Sequence, residues 1–216
     1  MDGLSPAAWK FLQQMMPALI GLLGVLVGAF LTLFREWRAE SRRARKDAAL
    51  LAAIVGGELD KFVNGCGNVA QDQGEDDEHG YTNPSVGTPT FDPAQLQVEW
   101  RSIPHSIMFD IVDLPYQIRT ANGVIGNISH YADSPPDYCL TFQERQYQFS
   151  LLGLHAMSIV DKLRRHTGLE PRRNNERWDP SALFNSKVAE YKVHREREKA
   201  AQEWPITQPP ATTVHP

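Results

Sequence analysis

The run Met15–Phe34, MMPALIGLLGVLVGAFLTLF, carries no charge, and Thr32 is its one polar residue. A helix of that length rises roughly 30 Å, the thickness of a bilayer's hydrocarbon core. Its eleven Leu, Ile, Val and Phe side chains contribute about −3 to −7 kcal/mol to insertion, more than the glycines and Thr32 cost. A buried helix of a soluble domain is rarely apolar around its whole circumference. A cleavable signal peptide has a shorter core followed by small residues, whereas Arg35, Glu36, Trp37 and Arg38 follow here. The run therefore predicts a transmembrane helix over residues 11–34, with Pro17 in the first turn of the apolar run, where proline does little harm.

The flanks predict the orientation. Lys10 stands alone before the run, while Arg35, Arg38, Arg42, Arg43, Arg45 and Lys46 follow it. Such asymmetry keeps the basic side in the cytoplasm and sends residues 1–10 across as a short extracytoplasmic N-terminus. Trp9 and Trp37 bracket the run as interfacial anchors. The basic cluster is expected to meet anionic lipid headgroups. Gly24, Gly28 and Thr32 fall on one face as a small-xxx-small row, the pattern through which membrane helices self-associate.

Beyond the membrane, residues 35–63 hold no proline and are rich in Ala, Arg, Glu and Leu, so the helix is expected to continue as a basic juxtamembrane segment. Asn64 to Gly67 are read as its end. Residues 64–95, broken by glycine and proline, read as an acidic loop whose Glu75-Asp76-Asp77-Glu78 run is solvated. In the helical domain expected over 96–204, Ile107, Ile111, Leu114, Ile118, Ala121, Ile125 and Ile128 recur at alternating intervals of 4 and 3, a heptad stripe of the coiled-coil kind. Pro115 inside it predicts a kink. A second stripe, Phe142, Phe149, Leu152, Ala156, Ile159 and Leu163, opens on Thr141-Phe142-Gln143-Glu144, which matches a capping box, and stops at Gly168. Asp179 and Pro180 start a last helix through Phe184, Val188 and Tyr191, and residues 205–216 read as a disordered tail.

The expected architecture is all-α: one N-terminal transmembrane helix continuing into a cytoplasmic antiparallel three- to four-helix bundle, with the second helix returning along the first. Two distant cysteines in a reducing compartment, Cys66 and Cys139, are expected to be free thiols. A net charge of −4 over 216 residues disfavours general nucleic-acid affinity, and a basic stretch over residues 162–177 is explained by the C-terminal turn of a helix.

No catalytic motif is present and no cofactor is implied. Asp110 and Asp113, one helical turn apart, and His105, His130, His155 and His166 are the groups from which a nonlocal metal or acid/base site would be assembled. The leading expectation is a non-catalytic adaptor or regulator whose helical domain binds an unidentified protein or itself. A self-assembling membrane effector or small-channel component comes second, an enzyme third.

Overall fold

A computed structural model describes the backbone of residues 6–134, 136, 138–171 and 179–203, and side-chain surroundings from Leu23 to Ala200 except at 24, 135, 137 and 172–178. The expected tail, 205–216, and Arg172, Arg173 and Arg177 of the basic stretch lie outside the described residues. The chain is all-helical, with α1 over Pro6–Gln71, α2 over His105–Tyr131, α3 over Cys139–Thr167 and α4 over Pro180–Glu203. A two-residue antiparallel hairpin, β1 Glu75–Asp76 and β2 Thr82–Asn83, interrupts the segment between α1 and α2. The chain divides into two units, one ending at Asp47 and the other beginning at Ala48.

In the first unit, α1 begins at Pro6, so Pro17 lies inside the helix and not in its first turn. Among the described residues no helix is long and apolar enough to cross a membrane. Of the expected span, the described side chains are Leu23 and Val25–Phe34, a rise of about 17 Å.

The second unit is a helical bundle around one core. Its α1 face holds Ala48, Leu51, Ala52, Val55, Leu59, Phe62, Val63, Cys66, Val69 and Ala70, all buried, at helical spacing. That stripe corrects the expected end of the helix near Asn64: the helix continues for two further turns, to Gln71, and its burial to Ala70. Gly65 serves close approach and not termination, since a Cβ there would stand 2.6 Å from the Pro89 side chain. The segment after the hairpin therefore doubles back along α1, and Phe91 meets Phe62 with ring centroids 6.4 Å apart.

Ile107, Ile111, Leu114, Ile118 and Ala121 of α2 are buried as the heptad stripe predicts, and α2 runs from His105 to Tyr131 with Pro115 inside it. From α3, Phe149, Leu152, Ala156, Ile159 and Leu163 complete the core. α2 and α3 form the expected antiparallel hairpin: Asp110 near the start of α2 pairs with Lys162 near the end of α3, while Ile128 and Leu140 line one groove at the other end. The expected direction of α1 is not met. Asp72, just past α1, bonds to Arg145 in the second turn of α3, so α1 and α2 both end near the start of α3, and the doubling-back segment makes this possible.

The helix ends follow local chemistry. Gly168 closes α3 in the left-handed region, φ 71°, with its N–H and that of Leu169 donated to the Arg164 carbonyl. Asp179 caps α4 as expected, its Oδ1 accepting from the Ser181 N–H at 3.0 Å. The capping box at Thr141 is not formed. α3 starts earlier, at Cys139, behind Tyr138 in the left-handed region at φ 46°, and Asp133 accepts from the Thr141 N–H at 2.7 Å. A carboxylate in the preceding turn has taken the Thr141 N–H that the capping box assigns to Glu144.

Candidate functional site

Two buried polar clusters stand on α3, the first at a position where the helical stripe calls for an apolar residue. In the first, Arg145 lies between Phe142 and Phe149 on the core side and is 5% exposed. Its guanidinium donates to Asp72 Oδ2 at 2.5 Å and to the Val86 carbonyl. Asp72, 4% exposed, also accepts from the Gly74 N–H at 3.0 Å, the Ser85 hydroxyl at 2.6 Å and N–H at 3.3 Å, and the Val86 N–H at 3.2 Å. Gln146 donates to the Asp72 carbonyl at 2.7 Å. Burial alone would raise the Asp72 carboxyl. The hydrogen bonds from Ser85, Gly74, Arg145 and Val86 outweigh that and hold it at about 2.

Gly74 permits this closure. Its φ is +80°, and a Cβ would stand 2.5 Å from the Phe142 ring and 2.9 Å from the Asn83 carbonyl oxygen. The acidic run beyond it is exposed as expected. Asp77, however, organises the hairpin, accepting from the His79 and Tyr81 N–H groups at 2.8 and 3.0 Å and from Asn83 Nδ2 at 3.0 Å. Those bonds, led by the Tyr81 and His79 N–H groups, hold its carboxyl below the usual aspartate range.

In the second cluster, buried Glu144 accepts from Gln148 at 2.7 Å and from the Tyr191 hydroxyl of α4. Tyr191 stacks on Tyr147, centroids 4.1 Å apart and planes 12° from parallel, with the Arg195 guanidinium 5.8 Å above its ring. Burial, then the hydrogen bond and negative charge of Glu144, push the Tyr191 hydroxyl up and keep it a neutral donor. Further along, Phe184 fills the notch left by Gly153, where a Cβ would come within 2.5 Å of the ring.

Both clusters have their carboxylates engaged by neighbouring donors, which suits them to clamp segments together. Open cavities flank them: one of about 680 Å³ lined in part by Tyr81, Asn83, Ser129, His130 and Tyr138, and one of about 410 Å³ beside Glu144, Tyr191 and Arg195. A third, also about 410 Å³, holds Asp113, Gln117 and His155, whose Nε2 is buried without a hydrogen-bond partner among the described residues.

Of the groups from which an acid/base or metal site would be built, Asp113 and His155 line one cavity. Asp110 is held by Lys162 at 2.6 Å and Asp113 accepts from Gln117 Nε2 at 2.8 Å. Among the described residues no three His, Cys, Asp or Glu side chains stand close enough to hold a metal ion. Cys66 and Cys139 are both free, the first buried and the second exposed. In the first unit, Thr32 Oγ1 donates to the Gly28 carbonyl at 3.0 Å, and nothing stands within 4 Å of a Cβ built at Gly28. The surroundings of Gly24 lie outside the described residues. Arg35, Arg38, Arg42, Arg43, Arg45 and Lys46 are all exposed.

Neither clamp has a local signature. The gap in the α3 stripe at Arg145 is the one trace of the first, because a charged residue at a core position demands a partner. Comparison with known proteins gives no match: no family model fits the chain, and no curated protein or solved structure is detectably similar to it.

Proposed function

We propose that this chain is a single-pass membrane-anchored protein, its N-terminus outside and its helical domain in the cytoplasm, and that the domain is a non-catalytic adaptor or regulator binding another protein or a second copy of itself. One observation carries the reading. The uncharged run Met15–Phe34 stays exposed wherever its side chains are described, with its large apolar residues from Leu23 to Phe34 between 42% and 70% exposed on all but the Gly28–Thr32 side of the helix. Each such side chain gains at most about 1.5–3 kcal/mol on leaving water, and an apolar surface over about two thirds of the helix's circumference suits lipid better than one protein neighbour. The exposed Trp37 and the start of the basic cluster, Arg35 and Arg38, follow at headgroup depth.

The self-assembling alternative draws on the open face at Gly28. The enzymatic alternative has less support, since Asp110 and Asp113 already have protein partners.

Carbonate extraction of membranes tests the anchor. The parent chain should stay in the pellet, and Leu23→Arg/Leu26→Arg/Phe30→Arg should move to the supernatant. A parent chain released by carbonate would sink the reading. In-membrane crosslinking then separates a foreign partner from self-association.

A further inference from the structure

The first unit carries, beyond the apolar run, a pattern of charge that the anchor does not use. At 100° per residue, Arg35, Arg38, Arg42, Arg45 and Lys46 fall within an arc of about 100°, while Glu36, Glu40 and Asp47 fall within about 40°, centred about 150° away. Arg43 stands at the edge of the acidic stripe, one turn from Glu40 and from Asp47, and lowers its charge without reversing it. All these side chains are exposed and α-helical.

Segregation of this kind works against an isolated helix. It places like charges one turn apart at Arg35/Arg38, Glu36/Glu40, Arg38/Arg42, Arg42/Arg45 and Arg42/Lys46, pairs that repel. Alternating signs would have given stabilising pairs from the same composition. Lipid headgroups explain the beginning of the basic stripe only. Lys46 lies about 16 Å along the helix from Arg35, past the roughly 8–10 Å over which a charged surface is felt at physiological salt, and headgroups give the acidic stripe nothing.

A parallel neighbour of the same sequence accounts for both stripes. We propose that residues 35–47 form an interface between copies of this chain, the basic stripe of one lying against the acidic stripe of the next. It rests on the anchor reading for one point: membrane insertion sets the copies parallel and at one height, which puts opposite charges level. Because the two stripes are different faces, the contact is heterologous and repeats from copy to copy. At 100° per residue Gly28 falls at the edge of the basic arc and Thr32 between the two stripes, and the open space at Gly28 lets a neighbouring helix come close there too.

Charge reversal tests this with the full-length chain in phosphatidylcholine vesicles, read by energy transfer between dyes on the exposed Cys139. Glu36→Lys/Glu40→Lys and Arg38→Glu/Arg42→Glu should each lower self-association about ten-fold or more, because like charges then face each other. Mixing the two variants should restore association to within about three-fold of the parent, and raised salt should weaken the parent. Undiminished self-association of either variant, or no recovery on mixing, overturns the proposal. Variants that differ from the parent only when phosphatidylserine is added also overturn it, and assign the basic stripe to headgroups. A chain that fails to enter vesicles counts against the anchor and not the stripes; the same transfer is then read in buffer, where absence of recovery on mixing remains decisive against them.

Discussion

Removing Asp72 should cost this bundle more than removing any exposed charge. The carboxylate is 4% exposed and its partner Arg145 5%, so Asp72→Ala strands a buried guanidinium and frees the donors of Gly74, Ser85 and Val86 at once. Stranding one member of a buried pair costs about 3–5 kcal/mol. Part of that is linked to pH. Between an ordinary aspartate at 3.8 and the folded value of about 2 lies about 2.5 kcal/mol. The folded value is the lower one, so this contribution is complete above about pH 4–5 and is lost as pH falls towards 2. Urea denaturation followed by helical circular dichroism, at pH 7 and in steps down to pH 2.5, measures both. The parent should exceed Asp72→Ala by about 3–5 kcal/mol at pH 7, the difference shrinking below pH 4. Arg145→Ala should cost a similar amount, and the double variant clearly less than the sum. A pH-independent difference below about 1 kcal/mol, with additive single variants, would refute the clamp.

Gly153→Ala should destabilise by about 1–3 kcal/mol, because its Cβ would stand 2.5 Å from the Phe184 ring; hydrogen exchange should show α4 loosened before α2. Unchanged exchange in α4 would mean that Phe184 does not seat in that notch. Maleimide should label Cys139 in the native protein and leave Cys66 untouched until denaturant is added, since burial both hides the Cys66 thiol and pushes its pKa up. Labelling of both at similar rates would contradict the packing of α1.

The heptad spacing of α2 and the stripe of α3 were legible because each helix repeats its apolar residues against one continuous core, and periodicity alone carries that information. Glycine misled at the end of α1. Gly65 was read as punctuation, yet its absent side chain admits Pro89, a neighbour 24 residues away that no local pattern announces. The Thr141 motif failed for a related reason. Asp133, eight residues upstream, reaches the same N–H first, so the cap depended on how the α2–α3 turn folds. Arg145 and Asp72 are 73 residues apart, and only the charged gap in an apolar stripe hinted at one of them. The apolar run is legible in the sequence as composition, and the clamps are not legible because they are made by chain return.

That separation of 73 residues also sets a clock. At roughly 5–20 residues per second, a ribosome that has just made Asp72 needs about 4–15 s before it makes Arg145. Through that interval the apolar stripe from Ala48 to Ala70 has no α3 to pack on, while α2, α3 and α4 can later pair as neighbours in sequence. The first helix synthesised thus waits longer for its clamp on α3 than α2 does, whose Asp110 is 52 residues from Lys162.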